Sequence, residues 1–147
     1  MAPPDFPAAC NPDCRSQKAW RARMITMIVF VTRKTDLSYD EFSDYWLNRH
    51  APLVKSVPEF MRHVRKYVQH HRAPGGEAVA PFGDSPDYDG VGEIWFDSRE
   101  AMKAAFEEPR YLEVIRPDEK KFFDASRCLS FIGDEHIMTD TLIPTSS

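Results

Sequence analysis

The chain is 147 residues long, one domain's length, and its 42% hydrophobic and 29% charged residues exclude a disordered or membrane-embedded chain. Nineteen basic against twenty-three acidic side chains leave a net charge of −4, which argues against a general nucleic-acid binder, because neutralising phosphates takes a basic surface. Three cysteines, Cys10, Cys14 and Cys128, cannot form an even disulfide framework, and the CNPDC spacing lacks a second pair for zinc. They are expected to be free thiols in a reducing, cytoplasmic compartment, with no metal site. No apolar run approaches a membrane span, and the first residues show no basic-then-apolar leader pattern.

Residues 1–23 are rich in Pro, Ala and polar groups without periodicity and are expected to form a flexible extension ahead of a domain over 24–138. MITMIVFV, 24–31, is a β-branched apolar run and predicts the first strand. Ser38 and Glu41 have capping-box spacing and predict a helix start. Phe42, Tyr45 and Trp46 place an aromatic stripe on that helix, which Pro52 should end or jog around Arg49 to Ala51, leaving His50 at the C-terminal end.

MRHVRKYVQH, 61–70, predicts a second strand, whose parity does not reveal the buried face. Residues 71–89 concentrate Pro, Gly and Asp and are a candidate lid. GVGEIWF, 90–96, predicts strand three, Arg99 to Glu108 a helix, and PRYLEVIR and DEKKFFD a further helical stretch broken at Pro117 and reaching Asp124. RCLSFIG, 127–133, predicts strand four, with a polar tail from 139. The order βαββαβ is the split plan of ferredoxin-like α+β domains, a four-stranded antiparallel sheet with helices on one face. The bare opposite face is expected to be covered by a second copy, making a homodimer.

Several segments carry a resemblance to a known family: YWLNRHAPLV (45–54), KYVQHH (66–71), DYDGVGEIWFDSREAMKAAF (87–106) and RPDEKKFFD (116–124). Together they resemble the EthD family of dimeric α+β barrel proteins. The resemblance implies acid/base chemistry without metal, haem or flavin. Family members include polyketide-tailoring decarboxylases, dehydratases and cyclases and a methylmuconolactone isomerase, and related barrels include cofactor-free oxygenases. The expected activity is therefore that of a cofactor-free lyase, a decarboxylase or dehydratase, on a polyketide-like or aromatic acid. An isomerase or cyclase, an oxygenase and a non-catalytic small-molecule binder are the alternatives, and neither nucleic acid nor membrane is an expected partner.

Three residues are the candidate catalytic groups. His50 suits proton transfer near neutral pH, or alternatively caps its helix; the motif favours catalysis. Tyr67 is placed to hydrogen-bond an enolate oxygen or simply to pack. Asp124 either caps a turn or orients an imidazole. Trp46, Arg65, His70, Glu93 and Trp95 are the candidate binding residues. Trp46 and Trp95, with Phe42 and Phe122, are pocket wall or core. Glu93 is a rim carboxylate or a buried one with a partner, and His70 and His71 are expected to face solvent. A basic cluster of His63, Arg65, Lys66, His70, His71 and Arg72 reads as a solvated strand and loop or as an attractor of small anions, while Arg33, Arg49 and Arg65 are each able to hold a carboxylate.

Overall fold

The computed structural model describes residues 24–73 and 88–141. Strand β1 is Ile25–Val31, and Ser38 opens helix α1, Tyr39–Tyr45. Both bonds of the capping box form: the Glu41 amide donates to Ser38 Oγ at 3.1 Å, and the Ser38 amide donates to Glu41 Oε2 at 2.8 Å. The helix then widens into a π-helical turn, Trp46–His50, and resumes as α2, Ala51–Lys55. Pro58 starts the short helix α3, Pro58–Met61, which leads into β2, Val64–His71. Strand β3 is Gly90–Phe96, and Ser98 caps α4, Arg99–Glu107. A second π-helical turn, Tyr111–Ile115, runs into α5, Arg116–Glu119, and a 3-10 turn at Ala125–Arg127 precedes β4, Leu129–Asp134.

The strands form one antiparallel sheet in the order β2-β3-β1-β4, the ferredoxin-like topology. Ile25, Met27, Val64, Tyr67, Ile94, Phe96 and Ile132 turn to the helices and pack around Phe60, Tyr111 and Ile115. A second cluster of Val31, Phe42, Trp46 and Phe122 fills the other end of the same layer. By alternation the open face receives Ile28, Phe30, Val68, Val91, Leu129 and Phe131, and Leu129 and Phe131 are 59% and 51% exposed.

Three expectations change. Of the two outcomes expected at Pro52 the helix takes the jog, a π-helical turn over Trp46–His50, and continues to Lys55, so His50 is not at its C-terminal end and is no C-cap. A proline ring collides with the carbonyl four residues back, here Asn48, and that carbonyl lies in the widened turn; Pro117 and Glu113 repeat the relation in the second one. The second helical stretch stops at Glu119 rather than Asp124. Strand β2 begins at Val64 rather than 61, because Pro58 is pre-organised for a first helical turn. The extension at 1–23 with Cys10 and Cys14, and most of the candidate lid, lie outside the described residues. Cys128 is a half-buried free thiol, and no helix among the described residues is long and apolar enough to cross a membrane.

Candidate active site

His50 is only 4% exposed, in the seam between helices and sheet. Its Nδ1 lies 2.8 Å from Oδ2 of Asp118, itself 5% exposed, on α5. Tyr45 donates to the other Asp118 oxygen at 2.6 Å, and Lys121 approaches that oxygen at 3.3 Å. Burial works to raise Asp118, but the hydrogen bonds of Tyr45 and His50 and the imidazole charge outweigh it, so the carboxyl titrates below its usual range. Asp118 is therefore an ionised acceptor, and the hydrogen of a neutral His50 resides on Nδ1. Burial also lowers the His50 pKa despite Asp118, which keeps the ring neutral at pH 7. Its Nε2 makes no hydrogen bond among the described residues and presents a lone pair. The Tyr45 phenol is pushed up to about 12, first by burial and then by Asp118.

Trp46, one turn before His50, lies across β3 where Gly90 and Gly92 present no side chain. The His71 ring packs on the indole at 4.7 Å between centroids. On β2, Gln69 Nε2 donates to the Tyr67 hydroxyl at 2.7 Å and to the Trp46 carbonyl at 3.1 Å. His71 Nε2 meets Gln69 Oε1 at 2.9 Å, and its Nδ1 meets Ser43 Oγ at 2.7 Å. Burial raises the Tyr67 phenol, opposed by hydrogen bonds from Gln69 and Trp46 and assisted by the charge of Glu119.

Glu119, next to Asp118, accepts from the Tyr111 hydroxyl at 3.2 Å through both oxygens, with Arg116 at 3.7 Å. Burial raises this carboxyl to about 7. A shallow cavity of about 450 Å³ opens beside Phe123 and is lined by Lys34, Asp36, Lys120, Asp124 and Ser126. Phe123 also packs on His50 at 6.2 Å and on Trp46 at 5.9 Å, so its ring stands between this cavity, whose lining includes none of His50, Asp118, Trp46 and Tyr67, and the His50 seam. Among the described residues, no three His, Cys, Asp or Glu side chains are grouped to hold a metal.

The structure brings His50, Trp46 and Tyr67 to the same layer and separates the other candidates from them. Asp124 is not the partner of the imidazole: it accepts from the amide and hydroxyl of Ser126, at 3.2 Å and 2.6 Å, and caps the turn there. Arg65 occupies a β-bulge between Val64 and Lys66 and pairs with Asp97 at 2.8 Å, away from the seam. His70 and Glu93 bond each other at 2.7 Å on the open face. Trp95 is also on that face, donating to Glu135 at 3.0 Å beneath Lys66. Of the three arginines offered as carboxylate holders, Arg33 is tied to Asp89 and Arg65 to Asp97. Asp118, Gln69 and Glu119 were missed. His71, expected to face solvent, is seated on Trp46; its alternation with Tyr67 and Gln69 along the strand was the available signal.

A ferredoxin-like sheet roofed by helices, with a buried His–Asp pair in the seam, defines a small α+β domain. The chain belongs to the EthD domain family, whose model matches residues 34–126. It is 26% identical over 129 residues to "Conidial pigment biosynthesis dehydratase EthD" of Metarhizium robertsii, covering 83% of this chain and 91% of that one. It is 25% identical over 116 residues to "Dehydratase ustZ" of Ustilaginoidea virens, covering 76% and 83%. The crystal structure of an EthD-like protein from Ralstonia eutropha superposes with a TM-score of 0.59 at 19% identity, over 80% of this chain and 96% of that one.

Proposed function

We propose that the chain is a lyase-type enzyme, a dehydratase that removes water from a β-hydroxy ketone of polyketide-like or aromatic character. The observation that carries this reading is the clamp of Asp118 on His50 Nδ1, which leaves Nε2 as a neutral base inside a buried seam. Nε2 takes the proton from the carbon beside the ketone, and the electron pair moves onto the carbonyl oxygen, where the Tyr67 hydroxyl donates to the developing charge. The enolate collapses, the new C=C bond forms, and the β-hydroxyl leaves with the proton returned from His50. The sequence balances as one substrate giving one alkene and one water, and it calls on no metal, haem or flavin. Both named relatives being dehydratases supports water rather than carbon dioxide as the leaving group.

The working unit in this proposal is a homodimer formed through the open face of the sheet, supported by exposed Leu129 and Phe131 on that face. The test of the activity is incubation with 3-hydroxy-1-tetralone, whose dehydration gives fluorescent 1-naphthol. The wild-type chain should catalyse that formation in the presence of a metal chelator and the His50→Asn variant should not. Equal rates for a folded His50→Asn variant and wild type would discard the mechanism.

A further inference from the structure

Tyr67, Gln69 and His71 alternate onto the helix-covered face of β2 and are bonded in series. The direction of each bond follows from groups that have no choice. The Trp46 carbonyl only accepts, so the Gln69 atom 3.1 Å from it is the amide nitrogen. The amide oxygen therefore faces His71, 2.9 Å away, and His71 Nε2 must carry the hydrogen. Burial lowers the His71 pKa, so Nδ1 of the neutral ring accepts from the Ser43 hydroxyl at 2.7 Å.

At the other end, the second amide hydrogen of Gln69 goes to the Tyr67 oxygen at 2.7 Å. The chain thus runs one way, from Ser43 through His71 and Gln69 to the phenol. The Tyr67 oxygen receives, and its own hydrogen has no acceptor among the described residues. A hydroxyl that already accepts is polarised into a better donor.

We infer that Gln69 and His71 are positioning residues that hold the Tyr67 hydroxyl as a one-way donor toward the substrate's carbonyl oxygen. The inference rests on the elimination proposed at His50. A purely structural network would satisfy buried polar groups and support stability without setting the direction of the Tyr67 hydrogen.

Gln69→Glu separates the two cases, since it keeps the shape but replaces the donor with an acceptor, so that Tyr67 must turn its hydrogen back to the protein. With 3-hydroxy-1-tetralone, kcat should fall about ten- to a hundred-fold, toward the rate of Tyr67→Phe, while KM stays within about three-fold. His71→Phe keeps an aromatic ring on Trp46 and removes the donor to Gln69. In that variant, ¹³C-tyrosine NMR should show the Tyr67 phenol titrating higher by about half a unit to one unit.

A folded Gln69→Glu variant turning over within two-fold of wild type, while Tyr67→Phe is slow, overturns the inference and leaves the His50 reading standing. An unmoved Tyr67 titration in His71→Phe overturns it as well, even if Gln69→Glu does not fold. Wild-type rates in both His50→Asn and Tyr67→Phe overturn the reading of the site and the inference together.

Discussion

Gly90 lies directly beneath Trp46: a Cβ there would stand 2.7 Å from the indole Cζ3 and 2.7 Å from the His70 carbonyl oxygen. The indole is 1% exposed and has nowhere to retreat. Gly90→Ala should therefore destabilise the fold by about 1–3 kcal/mol, the usual cost of overpacking, and slow turnover by shifting the helix that carries His50. Gly92→Ala, whose Cβ would meet the same ring at 3.6 Å, should fold normally. Urea melts of the two variants check the contrast, and equal stability would refute it.

Asp118 fixes the tautomer of His50, so Asp118→Asn should cut kcat about a hundred-fold or more while the chain stays folded. Tyr45→Phe, which removes a bond to the far oxygen of the same carboxylate, should cost about ten-fold or less. Imidazole ¹⁵N shifts give an independent check. Wild type should show the Nδ1–H form, and Asp118→Asn a mixture.

Stability should respond to pH at two groups with opposite sign. His50 titrates below its ordinary 6.5 in the folded chain, so the unfolded chain binds the extra proton and stability falls as pH drops below about 6.5. Glu119 is raised from 4.5 to about 7, facing Tyr111, Arg116, Asp118 and Tyr67, so its contribution is complete below 4.5 and is lost as pH rises through 7. Relative to wild type, Glu119→Gln should gain stability between pH 5 and pH 8, by up to about 3 kcal/mol. Denaturant midpoints at the two pH values measure this, and a wild-type-to-variant gap that does not change with pH would count against it.

On the open face, Phe131 stacks with Phe30 at 6.3 Å and remains half exposed. Phe131→Asp should turn a dimer of this chain into monomers without unfolding it, because the ring lies outside both core clusters. Light scattering at micromolar concentration is the measurement. A wild-type chain already monomeric there would remove the dimer from the proposal.

Much of the scaffold was legible in local patterns. The β-branched runs of β1 and β3 and the Ser38–Glu41 box announce their elements because each rests on contacts between near neighbours. The motif that contains His50 and Trp46, and the strand segment that contains Tyr67, point to three residues that all lie in the helix-covered layer. The partner of His50 was not legible. Asp124, open to both a turn-cap and an imidazole-orienting role, is the turn cap; the helix stops at Glu119 and the inward carboxylate is Asp118, a position set by the widened turn at Tyr111–Ile115. The faces of β2 were equally hidden: the bulge at Arg65 lets Val64 and Tyr67 share one face, which strict alternation forbids. Glu119 owes its altered acidity to burial by distant segments, which no local pattern records.

The two widened turns also bear on how this chain tolerates change in length. A π-helical turn amounts to one residue spliced into an α-helix. The five residues of this turn sweep about the same angle as four residues at the ordinary pitch, so deleting one position between Trp46 and His50 would restore α-helical winding and leave α2 facing as it does now. What would be lost is the widened turn itself, and with it the clearance between the Pro52 ring and the carbonyl four residues back. The extra position is thus what lets a proline sit inside the helix that carries His50, and a one-residue gap placed there in an alignment would mark the loss of that accommodation rather than a change of helix face.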